Sequence, residues 1–143
     1  MILATIGYET AVQAEVIDKL ARAGVRTVID VRAVASSRRA GFSKTLLAAS
    51  LAEAGIAYVH LRDLGTPKPG RIAARAGRFA EMGSIFEAHL EEPAAQLQLA
   101  QAGEIAQAGK AALLCYEADP AHCHRRIVAQ RLSERLSLTI EDL

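Results

Sequence analysis

Hydrophobic residues occur in short runs that alternate with longer segments of mixed polarity. One pattern recurs three times, in which a segment with helical spacing ends at a glycine and a short apolar run follows: "LARAGVRTVID" from residue 20, "LAEAGIAYVHL" from residue 51 and "AQAGKAALLC" from residue 106. Short, continuously apolar runs are typical of strands that are buried on both faces of a parallel sheet. Gly24, Gly55 and Gly109 suit the left-handed position just past a helix end, where a Cβ would be costly. The pattern therefore predicts an alternating α/β domain.

The same pattern predicts where the individual elements lie. The strands are expected at Ile2–Gly7, 25–31, 56–61, 111–116 and, as a short edge strand, 138–140. The helices are expected at 11–23, 44–54, 79–108 and from 119 to about 136. Ser43 is expected to cap the second helix, Pro93 to divide the third, and Asp119-Pro120 to begin the last. Residues 62–77 are rich in Gly, Pro and Arg, which predicts a long loop acting as a lid or a binding loop.

These elements predict one α/β domain over residues 1–143. Because crossovers between parallel strands are right-handed, the expected architecture is a three-layer sandwich. It has a mostly parallel sheet of about five strands, with helices on both faces. Ligands of such folds bind outside the carboxyl ends of the strands, so the loops at those ends are the expected location of a site.

Composition agrees with a folded domain. Apolar residues make up 51% of the chain, but aromatic residues only 4%, so the core is expected to be aliphatic. The segment "MILATIGYETAV" has neither a basic start nor a long apolar core, and we expect no signal peptide and no membrane association. Two cysteines do not indicate a disulfide framework, so we expect a cytoplasmic protein with reduced thiols.

Charge is distributed unevenly, although the formal net charge is only +1. Residues 32–78 contain nine Lys or Arg against two acidic residues, whereas residues 79–119 contain seven acidic residues against one lysine. One face is therefore expected to be basic, and the expected partner is a phosphate-bearing small molecule or a nucleic acid. An uneven but merely solvated surface is the alternative interpretation.

The stretch "IDVRAVASSRRAGFSK", residues 29–44, contains a first group of candidates. Asp30 and Arg32 alternate around Val31, so in an extended strand their side chains point to the same side. They form either a structural ion pair that anchors the loop or part of an anion site. In the second interpretation, the anion is held by Arg32 together with Ser36, Ser37, Arg38, Arg39 and Lys44.

The stretch "LLCYEADPAHCHRR", residues 113–126, concentrates the most reactive side chains. Cys123 and His124 are expected at the start of the last helix, where the helix N-terminus lowers thiol pKa values. A thiol nucleophile would be Cys123, with His124 or Glu117 as its base. Neighbouring residues of a helix do not face each other, however, which weakens a Cys123–His124 pairing.

Three other interpretations of this stretch remain open. A zinc site would use Cys115, Cys123 and either His122 or His124, although the spacing lacks the paired ligands of structural zinc loops. An anion site would combine the helix N-terminus with Arg125, whose helical spacing from Val128, Leu132 and Leu136 turns it inward, toward the strand ends. Alternatively, both cysteines are structural.

The motifs "TIGY", "DVR…SRR…FSK", "LAEAGIAYVHLRDLG" and "LLCYEADPAHCHRR" together resemble the family catalogued as domain of unknown function 488. The resemblance covers nearly the whole chain. It implies a compact α/β protein whose biochemical role is largely unassigned. The positions that match the motifs are Tyr8, Asp30, Arg32, Ser37, Arg38, Phe42, Lys44, His60, Leu64, Gly65, Cys115, Glu117, Cys123, His124 and Arg125.

The leading hypothesis is an enzyme that acts on a phosphate-bearing ligand, without a resident metal or other cofactor. Arg32, Arg38 and Arg125 are expected to converge on the thiol and imidazole groups. The candidate catalytic residues are Asp30, Glu117, Cys123 and His124; the candidate anion-binding residues are Arg32, Ser37, Arg38, Arg39, Lys44 and Arg125; further candidates are Tyr8, His60 and Cys115. The alternatives are a non-catalytic anion- or nucleic-acid-binding module, and a metal-supported site that uses Cys115, Cys123 and His124.

Overall fold

Five parallel strands form a single sheet in the computed structural model, which describes residues 1–143. In chain order they are β1 (Ile2–Gly7), β2 (Thr27–Asp30), β3 (Ala57–His60), β4 (Ala111–Cys115) and β5 (Thr139–Asp142). Their order across the sheet is β3-β2-β4-β1-β5, and every pair of neighbours is parallel. β4 lies at the centre, and all five of its residues are buried, as its uninterrupted apolar sequence predicts. Gly24 and Gly55 have the predicted left-handed conformation, with φ 73° and 75°, but the prediction is wrong for Gly109, which is extended, with φ 177°.

Six α-helices cover the sheet. They are α1 (Gln13–Arg22), α2 (Lys44–Glu53), α3 (Lys68–Arg75), α4 (Phe79–Leu90), α5 (Pro93–Ala108) and α6 (Arg125–Leu136), with 3-10 turns at Arg62–Leu64 and Pro120–His122. α1 and α2 pack their leucines into the core on one face of the sheet, and α4, α5 and α6 form the core on the other. The predicted three-layer α/β sandwich is thereby confirmed. None of the helices combines the length and the apolar character that crossing a bilayer requires.

The segment predicted to be a long loop, residues 62–77, is mostly helical, so that prediction is wrong. Pro67 is extended, and Pro69 lies in the first turn of α3, where a missing backbone N–H costs nothing. The helix packs against α4 and buries Gly70 and Ala73 between them. Proline and glycine were therefore signals of a helix start and of close helix packing, not of a mobile lid.

The last helix begins later than its capping signal predicts. Asp119 does act as a cap, since its Oδ1 accepts a hydrogen bond of 2.9 Å from the backbone N–H of Ala121, but it caps only a 3-10 turn. Cys123 then adopts an extended conformation, with φ −131° and ψ 140°, and α6 starts at Arg125. Ser43 precedes α2 without a side-chain capping bond, because its hydroxyl bonds the backbone of Ser37 instead.

The strand order creates a crevice at the carboxyl ends of β1 and β4. These strands are neighbours in the sheet, but the chain leaves β1 toward α1 on one face and leaves β4 toward α6 on the other. The two loops diverge, and open α/β sheets bind ligands at such a switch point. The fold therefore determines where a site is to be sought.

Candidate functional site

A cavity of about 740 Å³ opens at this crevice. The loops that follow three strands contribute to its wall: Tyr8 after β1, Arg32 after β2, and Glu117 after β4. Arg71 and Arg75 of α3 also line the cavity. The volume of the cavity lies within the range of about 300–1,000 Å³ that is usual for binding sites of small molecules.

Backbone contacts fix the loop that follows β4. The carbonyl oxygen of Tyr116 accepts hydrogen bonds from the backbone N–H groups of Tyr8 and Glu9, at 3.0 and 2.8 Å. The carbonyl oxygen of Glu117 passes so close to Gly7 that a Cβ at position 7 would lie 1.8 Å from it. Only a residue without a Cβ fits at position 7, because the loop after β4 packs directly against the backbone of β1 there. This explains the glycine in the "TIGY" motif.

The buried guanidinium of Arg125 supports the same loop from below. Arg125 turns inward, as its helical spacing predicts, and is 1% exposed. Its Nη1 donates to the carbonyl oxygen of Glu117 at 2.5 Å, and its Nη2 to that of Ala118 at 3.4 Å. Nε has no partner. The contacts of Arg125 therefore position the backbone of the site loop, and the side chain does not line the cavity.

Two thiols and one imidazole meet at the floor of the cavity. The Sγ atoms of Cys115 and Cys123 each lie 3.9 Å from Nδ1 of His124, and the three atoms all lie within 4.8 Å of one another. Cys115 is the last residue of β4, whereas Cys123 and His124 immediately precede α6. Because Cys123 is extended and not helical, its side chain can face that of its neighbour His124. The objection to this pairing from helical geometry therefore does not apply.

The ring of His124 is held in one orientation. Its Nε2 donates a hydrogen bond of 2.7 Å to the carbonyl oxygen of Val31, at the end of β2. Phe86 packs edge-on against the ring, with centroids 5.0 Å apart. Since Nε2 must carry a proton to donate to a carbonyl, Nδ1 is the atom presented to both sulfurs.

Electrostatic coupling shifts the pKa values of the two thiols in opposite directions. Burial by itself would raise the pKa of Cys123, but the hydrogen bond from Cys115 and the positive charge of His124 bring that pKa well below its ordinary value. The hydrogen bond to Cys123, together with burial, raises the pKa of Cys115. Burial lowers the pKa of His124, but the charge of Cys123 outweighs that effect and the pKa is raised. Cys123 is thus the more acidic thiol of the pair, and Cys115 the less acidic one.

Glu117 adds a carboxyl group beside these residues. Burial, and then the negative charge of Cys123, raise the pKa of Glu117 to about 7. Its Oε2 is buried and has no hydrogen-bond partner. Most buried polar atoms of native proteins are hydrogen-bonded, and here no other residue of the protein bonds this oxygen, which leaves it free to bond a molecule in the cavity.

The Asp30–Arg32 pair, by contrast, is fully engaged. Nε and Nη2 of Arg32 donate to the Asp30 carboxylate at 2.9 and 2.7 Å, while Nη1 donates to Tyr8 Oη at 2.9 Å and to the Phe42 carbonyl at 2.8 Å. The hydroxyl of Tyr58 adds a bond of 2.5 Å to Asp30. Burial and this bond raise the pKa of Tyr58, which keeps the hydroxyl a donor. The geometry favours the structural interpretation of the pair, although Arg32 also lines the cavity.

The remaining basic candidates lie outside the main cavity. Arg39 donates to the carbonyl oxygens of Glu9 and Ala11, at 2.6 and 2.7 Å, and Arg38 is exposed to solvent. Lys44 and His60 border a second cavity of about 580 Å³. The structure therefore does not bring Arg38 to the thiol cluster, where it was expected together with Arg32 and Arg125. Ser37, whose Oγ accepts from the backbone N–H of Arg39, shapes the loop.

Sequence reasoning missed Arg71, Arg75 and Phe79 as cavity residues. The two arginines are spaced i,i+4, which places them on one face of α3, but this signal was hidden by assigning the segment to a loop. The ring of Phe79 stacks on that of His122, with centroids 4.0 Å apart and planes 3° apart. His122 thus lies at the cavity wall, and His124 is the histidine that joins the two thiols.

Comparisons with known proteins identify a family and no nearer relative. A family model described as "Domain of unknown function DUF488" matches residues 13–132 of the 143-residue chain. Comparison with curated proteins and with solved structures found no match. The matched range contains the thiol cluster, Glu117 and both arginines of α3. The chain belongs to the DUF488 family.

Proposed function

We propose that this DUF488 protein is an enzyme that binds a small phosphate-bearing molecule, of nucleotide size, in the 740 Å³ cavity. One observation carries the proposal: the guanidinium groups of Arg71 and Arg75 line the same cavity as Cys115, Glu117 and His124. Groups that bind an anion therefore face groups that transfer protons or attack an electrophile, across a space that fits one small ligand.

The two arginines of α3 are suited to a phosphate. Arg71 is half-buried, and its only side-chain hydrogen bond is from Nη1 to the Thr66 carbonyl, at 2.8 Å, so its other donors remain free. Arg75 is exposed one helical turn later and forms no salt bridge. Guanidinium groups bind phosphate oxygens through paired N–H donors, with strong charge-assisted hydrogen bonds.

The Phe79–His122 stack favours a nucleotide over inorganic phosphate. The two rings are nearly parallel and stacked, and both residues line the cavity, so together they present aromatic surface beside the arginines. Stacking of a nucleobase on an aromatic side chain contributes roughly 1–3 kcal/mol. A ligand with a phosphate at one end and a flat ring at the other uses both features.

Cys115, Glu117 and His124 are the reactive groups that reach the ligand space. Cys123 does not line the cavity, and it acts on the ligand through Cys115 and His124. Glu117, with an unpartnered oxygen, is the proton acceptor in this proposal. Asp30 positions Arg32 and does not itself meet the ligand. Two free thiols suit a reducing compartment, so we place the enzyme in the cytoplasm.

Binding measurements on matched arginine variants test the proposal. Nucleotides and phosphate monoesters are titrated into the protein by calorimetry, and turnover is followed on the same panel. Arg71→Ala and Arg75→Ala are each expected to weaken binding about tenfold or more, because each removes a charge-assisted contact of about 1.5–3 kcal/mol. Arg38→Ala, an exposed arginine outside the cavity, is the control and is expected to bind normally.

The opposite pattern supports the nucleic-acid-binding module instead. In that case Arg38→Ala and Arg39→Ala weaken binding of an oligonucleotide, with a steep dependence on salt concentration, whereas Arg71→Ala has little effect. Failure of the wild-type protein to bind or turn over any nucleotide or phosphoester contradicts the enzyme proposal directly.

A further inference from the structure

We propose that Cys115, Cys123 and His124 form a Zn²⁺ site with three protein ligands and a fourth position open to the cavity. This goes beyond the proposed function, since a phosphate-bearing ligand can bind to Arg71 and Arg75 with or without the metal. The three ligand atoms come from the end of β4 and the start of α6, which are both anchored in the core.

The distances between the ligand atoms fit zinc. Tetrahedral zinc, with Zn–S of about 2.3 Å and Zn–N of about 2.0–2.1 Å, places each sulfur roughly 3.5 Å from the nitrogen and the sulfurs roughly 3.8 Å apart. Here both Sγ atoms lie 3.9 Å from Nδ1 of His124, and no two ligand atoms are more than 4.8 Å apart. Metal binding therefore requires each sulfur to approach the imidazole by a few tenths of an ångström, and the two sulfurs to approach each other by no more than about 1 Å.

The surroundings of His124 have the features of a metal ligand. Zinc-bound histidines commonly donate their other ring N–H to a carbonyl or a carboxylate, which orients the ring and fixes its tautomer. His124 makes this bond from Nε2 to the Val31 carbonyl, at 2.7 Å, and so directs Nδ1 at the two sulfurs. The ring is buried against Phe86 and has no freedom to turn away.

The fourth position is suited to a water molecule. Cys115 and His124 line the cavity, so a metal held by them is accessible from the ligand space. Structural zinc sites are closed by four protein ligands, whereas catalytic sites have three and bind water or substrate in the fourth position. Glu117, two residues after Cys115, lines the same cavity, and its Oε2 has no hydrogen-bond partner within the protein. A bound Zn²⁺ would lower the pKa of such a water, and Glu117 would accept its proton.

The donor set narrows the chemistry to water activation. Two cysteines and one histidine around zinc, with a glutamate nearby that is not a ligand, form the arrangement with which zinc deaminases attack nucleobases. The same arrangement here lies beside the arginines and the aromatic stack proposed to hold a nucleotide. In that class of reaction the water oxygen would bond to a ring carbon that carries an amino group, and Glu117 would pass the water proton to the amino nitrogen. The C–N bond would then break, and ammonia would leave.

Cobalt substitution tests the site in the full-length protein. Co²⁺ is titrated into metal-free, reduced protein, and absorption is recorded in the near ultraviolet and the visible range. We expect one Co²⁺ per chain, a sulfur-to-cobalt charge-transfer band, intense visible bands of tetrahedral cobalt, and displacement by Zn²⁺. Absence of the charge-transfer band at saturating Co²⁺ overturns the proposal.

Variants identify the ligands. Cys115→Ser, Cys123→Ser and His124→Ala are each expected to weaken metal binding by about 100-fold or more, because each removes one of three protein ligands. His122→Ala, an exposed histidine two residues away, is the matched control and is expected to bind Zn²⁺ normally. Equal loss of affinity in His122→Ala and His124→Ala contradicts the assignment.

Thiol labelling gives a measurement that needs no variant to fold. Zn²⁺ is expected to slow alkylation of both cysteines of the native protein, whereas Mg²⁺, which prefers oxygen ligands, is not. Labelling rates that Zn²⁺ leaves unchanged at both positions overturn the site, whatever the result of the nucleotide titrations. Loss of nucleotide binding with thiol protection intact counts only against the proposed function.

Discussion

Two buried polar groups lie side by side at the carboxyl edge of the sheet, and they differ in how completely their atoms are bonded. In the Asp30–Arg32 pair, both carboxylate oxygens and all three guanidinium nitrogens have partners between 2.5 and 2.9 Å away. In the thiol cluster, the sulfurs remain 3.9 Å from the imidazole, and the neighbouring Oε2 of Glu117 has no partner. The first group is complete without a ligand, and the second is not.

This difference distinguishes a structural ion pair, which anchors its loop, from a candidate site. Burying a charge is costly unless it is paired and hydrogen-bonded, so a complete network stabilises the loop that contains it. Buried polar atoms without partners are uncommon in native proteins, and one of the two here, Oε2 of Glu117, belongs to a residue that lines the cavity. The carbonyl oxygen of Val31 joins the two regions, because it accepts from His124 while its neighbours Asp30 and Arg32 pair with each other. The anchor thus holds the ring of the site.

The largest expected effect tests the anchor. Arg32→Ala leaves the fully buried Asp30 carboxylate without its cation and is expected to lower the free energy of unfolding by about 3–5 kcal/mol. Denaturation in urea measures the loss. The double variant Asp30→Asn/Arg32→Ala is expected to lose less than the two single losses added together, because it removes the uncompensated charge. A loss below about 1 kcal/mol for Arg32→Ala would show that the pair is dispensable.

The second prediction tests the contact that positions the site loop. Gly7→Ala places a methyl group 1.8 Å from the carbonyl oxygen of Glu117 and is expected to cost about 1–3 kcal/mol of stability. The displaced loop should also bind Zn²⁺ more weakly. Gly83→Ala is the control, since its methyl group meets nothing closer than 3.9 Å and an alanine favours helix α4 by about 0.5–1 kcal/mol. Equal stability of the two variants would refute the loop contact.

A third, smaller effect separates stability from function in the cluster. Cys123→Ala removes one buried heavy atom, so metal-free protein is expected to lose about 1 kcal/mol, well below the loss in Arg32→Ala. Binding of Zn²⁺ is expected to fall sharply in the same variant. Urea denaturation with and without Zn²⁺ measures both quantities. A loss in metal-free protein as large as that of Arg32→Ala would place Cys123 among the structural residues.

The smallest effect concerns the exposed part of the basic loop. Arg38→Ala removes a side chain that no other residue contacts through a hydrogen bond or salt bridge, and stability is expected to change by less than about 0.5 kcal/mol. Nucleotide binding is also expected to be unchanged. A marked loss of either would mean that Arg38 belongs with Arg32 in the anchor or with Arg71 in the cavity.

Local pattern determined much of the fold. Short apolar runs located all five strands, and a preceding glycine marks three of them. The run of β4 is the clearest, because a strand buried on both faces must be apolar along its whole length. The helical spacing of Arg125 from Val128, Leu132 and Leu136 also predicted that its side chain turns inward, and the residue is buried. The sequence did not predict α3, because the prolines at its start and its glycine are common in loops. Only the tertiary structure shows that the prolines begin a helix and that Gly70 allows it to pack closely against α4.

The sequence by itself determined which residues lie at the carboxyl edge of the sheet, since each follows a recognisable strand. Only the tertiary structure decided their partners. Arg32 bonds to Asp30, Tyr8 and the Phe42 carbonyl. Arg71 and Arg75 line the cavity. His124, and not His122, lies beside the two thiols. The physical reason is that periodicity is a property of neighbours in the chain, whereas hydrogen bonds and metal sites depend on which loops, distant in sequence, the sheet brings within a few ångströms.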